Sequence, residues 1–340
     1  MRDAAQRRLA IGFFDGVHLG HRTILAGADA ALTFRQHPLS VIAPERAPRL
    51  LMSVDERVAA IRACGVADVT VLDFTPELAG MTAEEFVVSF LKRSGDRFSA
   101  VKGERFSAVR CGENWRFGKG GRGDAAFLRA HGIDVEVVGY AEWNGDRVSS
   151  SRIRRCLADG RVEDAEAMLG RPYEVVGDIV SGKGLGAGLG YPTINVDAGR
   201  PLNLRFGVYA VELAGVKGVA NYGLAPTAGA AAWTSPVLEV HLLGAVPDGL
   251  AGRATVRIVR FVRDERTFAT FEDLKRQIAA DCAAVVPDDF IDMRQLQNPD
   301  VVPSAPSPTG DESTSPAHMR RRGCRRDEVL HLPHKERKTK

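Results

Sequence analysis

The sequence predicts an α/β domain followed by a β-domain, and three observations lead to that prediction. Up to about residue 155, apolar strand-like runs alternate with amphipathic helix-like runs, which is typical of a parallel sheet. From about residue 173, short β-rich runs follow one another between Gly and Pro turns, which favours an antiparallel barrel or sandwich. One amphipathic helical run then closes the second part. The chain of 340 residues is long enough for two such domains.

The elements of the first half carry local signals. Leu9–Phe13 and Ala30–Phe34 are apolar runs with the length of buried strands. The helical run Ser53–Cys64 opens with Ser53 and has Glu56 three residues later, which is the spacing of a capping box. Strands are also predicted at Asp68–Phe74 and Val135–Tyr140, a helix at Thr82–Lys92, and two short helices within Arg152–Leu169.

The second half reads as a succession of short strands and one closing helix. After residue 290 the chain is rich in Pro, Ser and Thr and then in charge, so residues 290–340 are predicted to form a disordered tail. The predicted strands are Tyr173–Val180, Val208–Leu213, Gly218–Tyr222, Val237–Leu243 and Ala254–Val262, and the predicted helix is Phe271–Ala284.

Composition excludes several classes of function. The net charge is +3, but residues 303–340 alone contribute +4, so the part expected to fold has no basic surface for nucleic acid. No apolar run is long enough to span a membrane, and no secretory segment follows the basic N-terminus, so a cytoplasmic protein is expected. Scattered cysteines without a CxxC pair indicate reduced thiols: Cys64, Cys111, Cys156, Cys282 and Cys324.

The stretch GFFDGVHLGH (Gly12–His21) follows the first predicted strand and leads into a helix. Unsatisfied amides at a helix N-terminus favour an anion. Gly16 and Gly20 are expected to let a phosphate approach the backbone, and His18 and His21 to place imidazolium donors on its oxygens. The alternative is a loop whose histidines are surface donors.

RVSSSRIRRCL (Arg147–Leu157) places hydroxyls just before a predicted helix. Arg154 lies three residues after Ser151, so both side chains reach one face and suit a phosphate clamp. The alternative is an N-cap followed by a solvated basic helix.

SGKGLGAGLGYPTINV (Ser181–Val196) combines alternating glycines with a Thr and an Asn. Gly184 stands where a P-loop needs Ser or Thr, so this is not that motif. The alternate glycines from Gly182 to Gly190 imply a mobile loop that can fold over phosphates, with Gly182, Lys183 and Gly184 as phosphate-binding residues. Thr193 and Asn195 offer oxygens for Mg²⁺ and phosphate. The alternative is a flexible hairpin that ends in a Thr/Asn turn.

VLEVHLL (Val237–Leu243) is a strand pattern with a carboxylate in it. Alternation places Leu238 and Val240 on one face and Glu239 and His241 on the other. A lone carboxylate at such a position usually faces solvent.

Four motifs in order resemble the FAD synthetase module of bacterial bifunctional riboflavin kinase/FMN adenylyltransferases. They are GFFDGVHLGH, LTFRQHP (Leu32–Pro38), GENWRFGKGGRGD (Gly112–Asp124) and RVSSSRIRRCL. The resemblance implies a Rossmann-like HxGH nucleotidyltransferase domain over residues 1–157. It implies that His18 and His21 bind ATP phosphates, that Asn114 lies in the adenylyl site, and that Arg147, Ser150, Ser151 and Arg154 close on the triphosphate.

A second series of motifs resembles the riboflavin kinase module of the same family, over residues 169–285. It consists of LGRPY, GYPTIN, FGVYAV, ANYGLAPT and LEVHLL. The resemblance implies an antiparallel barrel in which Thr193 and Asn195 are ligands of Mg-ATP. It implies that Glu239 is the base that accepts the proton of the ribityl 5′-hydroxyl.

The sequence therefore predicts an enzyme that makes FMN from riboflavin and ATP, then FAD from FMN and ATP, with Mg²⁺. The first domain departs from the usual pattern of the family in three places: Phe13 replaces a usual Asn, few residues separate His21 from the next strand, and the RFSAV of 97–101 recurs at 105–109. In the second, Gly244 and Ala251 replace a usual acid and a usual aromatic residue. Three alternatives remain: a riboflavin kinase with a degenerate first domain, a non-catalytic flavin- or nucleotide-binding regulator, and an HxGH enzyme for another acceptor, such as a pantetheine or nicotinamide phosphate.

Overall fold

The computed structural model describes residues 7–91, 106–181, 190–223 and 236–285, which all belong to one compact unit. It confirms the predicted fold class: a parallel sheet in the first half and a closed antiparallel barrel, followed by a helix, in the second. The first RFSAV copy, Gly182, Lys183, Gly184 and the predicted tail lie outside the described residues.

The parallel sheet has five strands in the order β3-β2-β1-β4-β5. Neighbouring strands pair in parallel, and the chain moves outward from β1 first in one direction and then, from β4, in the other. Such a reversal leaves a crevice at the carboxyl ends of the two central strands. The strands are β1 (Arg8–Ile11), β2 (Ala30–Phe34), β3 (Asp68–Leu72), β4 (Ala108–Gly112) and β5 (Asp134–Val138).

Short helices surround this sheet. The predicted capping box is confirmed, because Ser53 and Glu56 each accept a bond from the other's backbone amide. The helix predicted at Thr82–Lys92 begins as predicted, but changes to a π-helix at Val87–Leu91. The α-helices are α1 (Leu19–Leu25), α2 (Pro38–Ile42), α3 (Val54–Ala63), α4 (Pro76–Gly80), α5 (Ala83–Phe86) and α6 (Ala125–Ala130), with 3-10 turns at Pro44–Arg46 and Lys119–Gly121 and a ribbon of β6 (Glu142–Trp143) and β7 (Asp146–Arg147).

Two helices connect the sheet to the barrel, α7 (Ser150–Ala158) and α8 (Val162–Leu169). Gly170 ends α8 in a left-handed conformation (φ 65°), which glycine adopts without strain. Apolar side chains of both helices, such as Ile153 and Met168, belong to the same buried cluster as the barrel interior. The two halves of the chain therefore share one continuous core.

The barrel closes in the order β10-β11-β12-β9-β8-β13, and the sandwich alternative is excluded. The short strand β9 was not predicted, although it is needed to close the barrel. Helix α9 (Phe271–Ala284) has the predicted bounds, and Arg263 donates to both carboxylate oxygens of its Asp281 at 2.8 and 2.6 Å. The strands are β8 (Tyr173–Val180), β9 (Ile194–Asp197), β10 (Gly207–Leu213), β11 (Val216–Gly223), β12 (Val237–Leu242) and β13 (Arg253–Asp264). No helix within the described ranges has the length and apolarity to cross a membrane.

Candidate active sites

A cavity of about 500 Å³ opens at the carboxyl ends of β1 and β4, where the order of the sheet reverses. Its volume is within the range of small-molecule sites. Arginines outnumber acids in the described lining, which contains Arg46, Arg147 and Arg154 but one carboxylate, that of Asp15, so the site suits an anion. Eight of the predicted site residues line it: His18, Gly20, His21, Asn114, Arg147, Ser150, Ser151 and Arg154.

Gly16 is the predicted phosphate-loop residue that the structure places elsewhere. Among the described residues, Gly20 lines the cavity and Gly16 does not. Gly16 has a φ of +84°, and a Cβ there would lie 2.7 Å from Leu51 Cδ1, so this glycine permits close packing against Leu51. That Gly16 admits a phosphate stays a prediction.

The loop that carries the histidines has a strained backbone. Phe14 (φ 57°) and Val17 (φ 42°) adopt the left-handed conformation that side chains disfavour. Both side chains are fully buried in an apolar cluster, and Thr33 Oγ1 donates to Phe13 O at 2.9 Å. Core packing thus fixes a loop that local preferences alone do not favour.

His18 and His21 form a stacked pair of neutral rings, with centroids 3.6 Å apart. His18 caps α1, and its Nδ1 accepts a hydrogen bond from His21 N at 3.3 Å. Burial, with the charges of Arg147 and Arg154, lowers the pKa of His18 to about 3, and burial, with the charge of Arg147, lowers the pKa of His21 well below its usual value. These shifts favour neutral rings over the expected imidazolium donors. Because Nδ1 of His18 accepts, the proton lies on Nε2, which remains a neutral donor.

These lowered pKa values predict that acid destabilises the fold. Between pH 6.5 and about 3 the unfolded chain protonates His18 and the native state does not. The buried neutral histidines therefore make their full contribution to the free energy of unfolding above pH 6.5. As the pH decreases below 6.5, the free energy of unfolding falls by at most about 1.4 kcal/mol per pH unit for each histidine. Denaturant titrations followed by tryptophan fluorescence at several pH values measure this slope. We expect His18→Asn to have a shallower slope than the native chain, and an equal slope would contradict the burial argument.

Two of the predicted clamp residues, Ser150 and Arg154, bond to Asp15, a member of the GFFDGVHLGH motif for which the sequence predicts no role. Arg154 donates to Ser151 Oγ at 3.3 Å, as their spacing suggested, and to Asp15 Oδ2 at 2.9 Å. Ser150 Oγ donates to Asp15 O at 2.8 Å, and Ser149 caps α7. Within the described residues, Arg154 Nε is buried without a hydrogen-bond partner, so one donor of the clamp is still available.

Aromatic contacts hold two further cavity residues. The Arg147 guanidinium lies 3.6 Å from the centroid of the Tyr140 ring, which keeps this cation at the cavity. Phe13 packs edge-on to His37 at 4.8 Å and covers the buried Arg57 guanidinium at 4.1 Å. Phe13 therefore has defined partners here, and its ring shields a buried cation. His37 lies in LTFRQHP, and that motif was the only signal for it.

The second candidate site lies on the outer face of the barrel. The register places Asn195 of β9 opposite Glu239 of β12, and Glu239 opposite Asn221 of β11. Opposite residues have Cβ atoms about 5 Å apart and share a face. Leu238 and Val240 belong to the buried core, as the alternation predicted, so Glu239 points the other way. Asn221 adds a polar group that sequence reasoning missed.

The segment that enters β9 is anchored beside this row. Thr193 is exposed and precedes Ile194, so it lies two residues from the buried Asn195. His241 Nδ1 lies 2.9 Å from Pro192 O, and the His241 and Tyr191 rings meet edge-on at 5.1 Å. These contacts keep Thr193 next to the Asn195–Glu239 pair.

The oxygen atoms offered by this second site are of a chemical type that fits Mg²⁺. Thr193 and Asn195 offer a hydroxyl and an amide oxygen, which are hard neutral ligands of the type that Mg²⁺ accepts beside substrate phosphates. In the described part of the chain, no group of three or more His, Cys, Asp or Glu side chains forms a metal cluster. The hydroxyl and the amide oxygen fit Mg²⁺ that also binds the phosphates of a nucleotide.

Comparison with known proteins assigns both halves. A family model described as FAD synthetase matches residues 1–152, and one described as riboflavin kinase matches residues 169–286. A bifunctional riboflavin kinase/FMN adenylyltransferase of Escherichia coli K12 is 35% identical, with 80% of this chain and 90% of the relative covered. The Pseudomonas fluorescens protein of the same name is also 35% identical, with 81% and 90% covered.

One solved structure carries a different description. A protein of Streptococcus pneumoniae described as a macrolide-efflux protein matches with a TM-score of 0.67 and 26% identity, over 82% of this chain and 92% of that one. Its description says nothing about flavins, but its fold agrees over both domains. The sequence motifs, the two family matches and the near-complete coverage of the curated relatives agree: the chain belongs to the bifunctional riboflavin kinase/FMN adenylyltransferase family.

Proposed function

We propose that this chain makes FAD in two steps, each of which consumes ATP. The barrel phosphorylates riboflavin to FMN, and the α/β domain transfers the AMP of ATP to FMN, which releases pyrophosphate. Both family matches and the names of the relatives support this pair of reactions. The observation that carries the proposal is that each half has its own polar site: the cavity at the sheet reversal and the Asn195–Glu239–Asn221 row. We assign residues 1–157 to the adenylyltransferase domain and residues 169–285 to the kinase domain. We also place the enzyme in the cytoplasm, and the free thiols of Cys64, Cys111, Cys156 and Cys282 support this location.

In the barrel, Glu239 would accept the proton of the ribityl 5′-hydroxyl as that oxygen attacks the γ-phosphate. A fixed carboxylate suits this because the alcohol becomes a better nucleophile as its proton leaves. Thr193 and Asn195 would hold Mg²⁺ together with the ATP phosphates. The glycine-rich residues Gly182, Lys183 and Gly184 would bind those phosphates. When bound, Mg²⁺ supplies charge neutralisation at the phosphates. Asn221 would add an amide to the same face, where its Nδ2 donates to Glu265 Oε1 at 3.4 Å.

In the α/β domain, the FMN phosphate would attack the α-phosphate of ATP with pyrophosphate as the leaving group. The Nε2–H donor of neutral His18 and the ring of His21 would bind the phosphate oxygens on which charge develops. Arg147 and Arg154 would bind the β- and γ-phosphates, and Ser150, Ser151 and Gly20 would line their path. Asn114 would contact the adenylyl group.

Position-specific labels in ATP test the proposal. We expect the γ-phosphate label to appear in FMN when riboflavin is the substrate, and the α-phosphate label to appear in FAD when FMN is the substrate. Label in FMN alone would favour the kinase with a degenerate first domain. No labelled flavin from either substrate would favour the regulator. Label from the α-phosphate in a phosphopantetheine or nicotinamide nucleotide, but not in FAD, would favour another acceptor.

Asn195→Ala provides a prediction about the metal. Loss of the amide oxygen is expected to raise, by about tenfold, the Mg²⁺ concentration that gives half-maximal riboflavin phosphorylation. The reason is that Asn195 is either a ligand of Mg²⁺ or a hydrogen-bond partner of such a ligand. The Mg²⁺ dependence of FMN adenylylation in the same protein is expected to stay unchanged. A titration of Mg²⁺ in each assay measures both. Equal shifts in the two reactions would contradict the assignment of Asn195 to the barrel site.

A further inference from the structure

The barrel holds a segment of the α/β domain through two polar side chains. Arg200 donates to Leu50 O at 3.2 Å and to Leu51 O at 3.1 Å, and lies 3.5 Å from Glu56 Oε2. Asn203 donates to Leu50 O at 3.0 Å. The Arg200 side chain is only 18% exposed, so this forked contact is largely protected from water. Both residues follow β9 on the barrel side of the chain.

The same segment holds Asp15 in the adenylyl-transfer cavity. Leu51 N donates to both carboxylate oxygens of Asp15, at 3.0 and 3.1 Å. The other contacts of this carboxylate and its backbone are with Arg154 and Ser150, as described above. Asp15 is 2% exposed, so its position depends on these few bonds. The backbone amide of Leu51 thus fixes the position of the Asp15 carboxylate, which in turn orients the Arg154 guanidinium.

We infer that Arg200 is a positioning residue for adenylyl transfer, although it belongs to the riboflavin kinase barrel. It acts through Leu51 and Asp15 on Arg154, which binds the triphosphate. The barrel is then a structural part of the FAD-forming site, besides being the source of FMN. This inference rests on the proposed adenylyl transfer.

The test uses the full chain and both of its reactions. Arg200→Met keeps the length of the side chain and removes the fork, so Leu51 O loses the Arg200 donor and Leu50 O keeps only the bond from Asn203 among the described side chains. We expect the KM for ATP in FMN adenylylation to rise about fivefold to tenfold, with kcat and riboflavin phosphorylation within about twofold of the native values. Arg200→Lys keeps one donor and is expected to give an intermediate KM. Arg253→Met, at an exposed arginine of β13, is the matched control and is expected to leave both reactions unchanged.

A double-mutant cycle shows whether Arg200 acts through Asp15. Asp15→Asn alone is expected to raise the same KM, and the double variant to raise it no further than the larger single change. Independent, multiplied effects would overturn the inference, as would an unchanged KM in Arg200→Met. A parallel loss of both reactions would overturn it too, because the contact would then only hold the fold. Absence of FAD from the native chain would instead reject the proposed function.

Discussion

Glu239→Gln is expected to lower riboflavin phosphorylation by about 100-fold to 10,000-fold in kcat, the range that a general base contributes. Glutamine has the size of glutamate and still pairs with its neighbours on β9 and β11, but it cannot take the hydroxyl proton. Its strand is packed by Leu238 and Val240, whose contacts do not change. A coupled assay of ADP release with riboflavin as the substrate measures the loss.

Two controls accompany this variant. FMN adenylylation by Glu239→Gln is expected to match the native rate, because that site is on the other domain. Glu174→Gln removes an exposed carboxylate from β8 of the same barrel and is expected to leave both reactions unchanged. If Glu239→Gln retains more than about a tenth of the native kcat, Glu239 is not the base.

His18→Asn is expected to lower the kcat of FMN adenylylation by about 100-fold to 1,000-fold, the cost of losing one donor to a developing negative charge. Asparagine is a favourable helix cap, so its side-chain oxygen replaces Nδ1 as acceptor from His21 N and α1 is preserved. The Nε2–H donor is lost. Pyrophosphate release with FMN as the substrate measures the effect.

The matched control for this change is His131→Asn. His131 follows α6, stacks on Phe127 at 4.2 Å and does not belong to the described cavity lining, so both activities are expected to persist. Riboflavin phosphorylation by His18→Asn serves as the folding control. An adenylylation rate within about threefold of the native rate would show that His18 does not stabilise the transition state.

Much of the fold was predictable because its signals are local. The capping box of Ser53 and Glu56, the apolar run of β2 and the amphipathic α9 each lie within a few residues, and the structure has them as predicted. Strand β9 was missed because it has only four residues and directly follows Pro192 and Thr193, residue types that favour turns. A barrel closes only through pairing between strands that are distant in the chain, and a four-residue strand carries no local sequence signal of that pairing.

The site was predictable in its residue types and less so in its electrostatics. Eight motif residues meet in one cavity, but whether His18 is charged depends on burial by distant segments, which no motif encodes. The role of Asp15 depends on Leu51 and Arg154, which are 36 and 139 residues away in the chain. The left-handed backbone of Gly16 and the lack of space for a Cβ beside Leu51 are likewise not visible in the motif. Long-range packing decides these points.

The central claim is that one chain carries two working sites in series, and a time course tests it most directly. The native protein is incubated with riboflavin, ATP and Mg²⁺, and riboflavin, FMN and FAD are separated chromatographically at intervals. The account predicts that FMN appears first and FAD follows at its expense. FMN that accumulates without any FAD would contradict the claim for the α/β domain, and the absence of both products would contradict it for the whole chain.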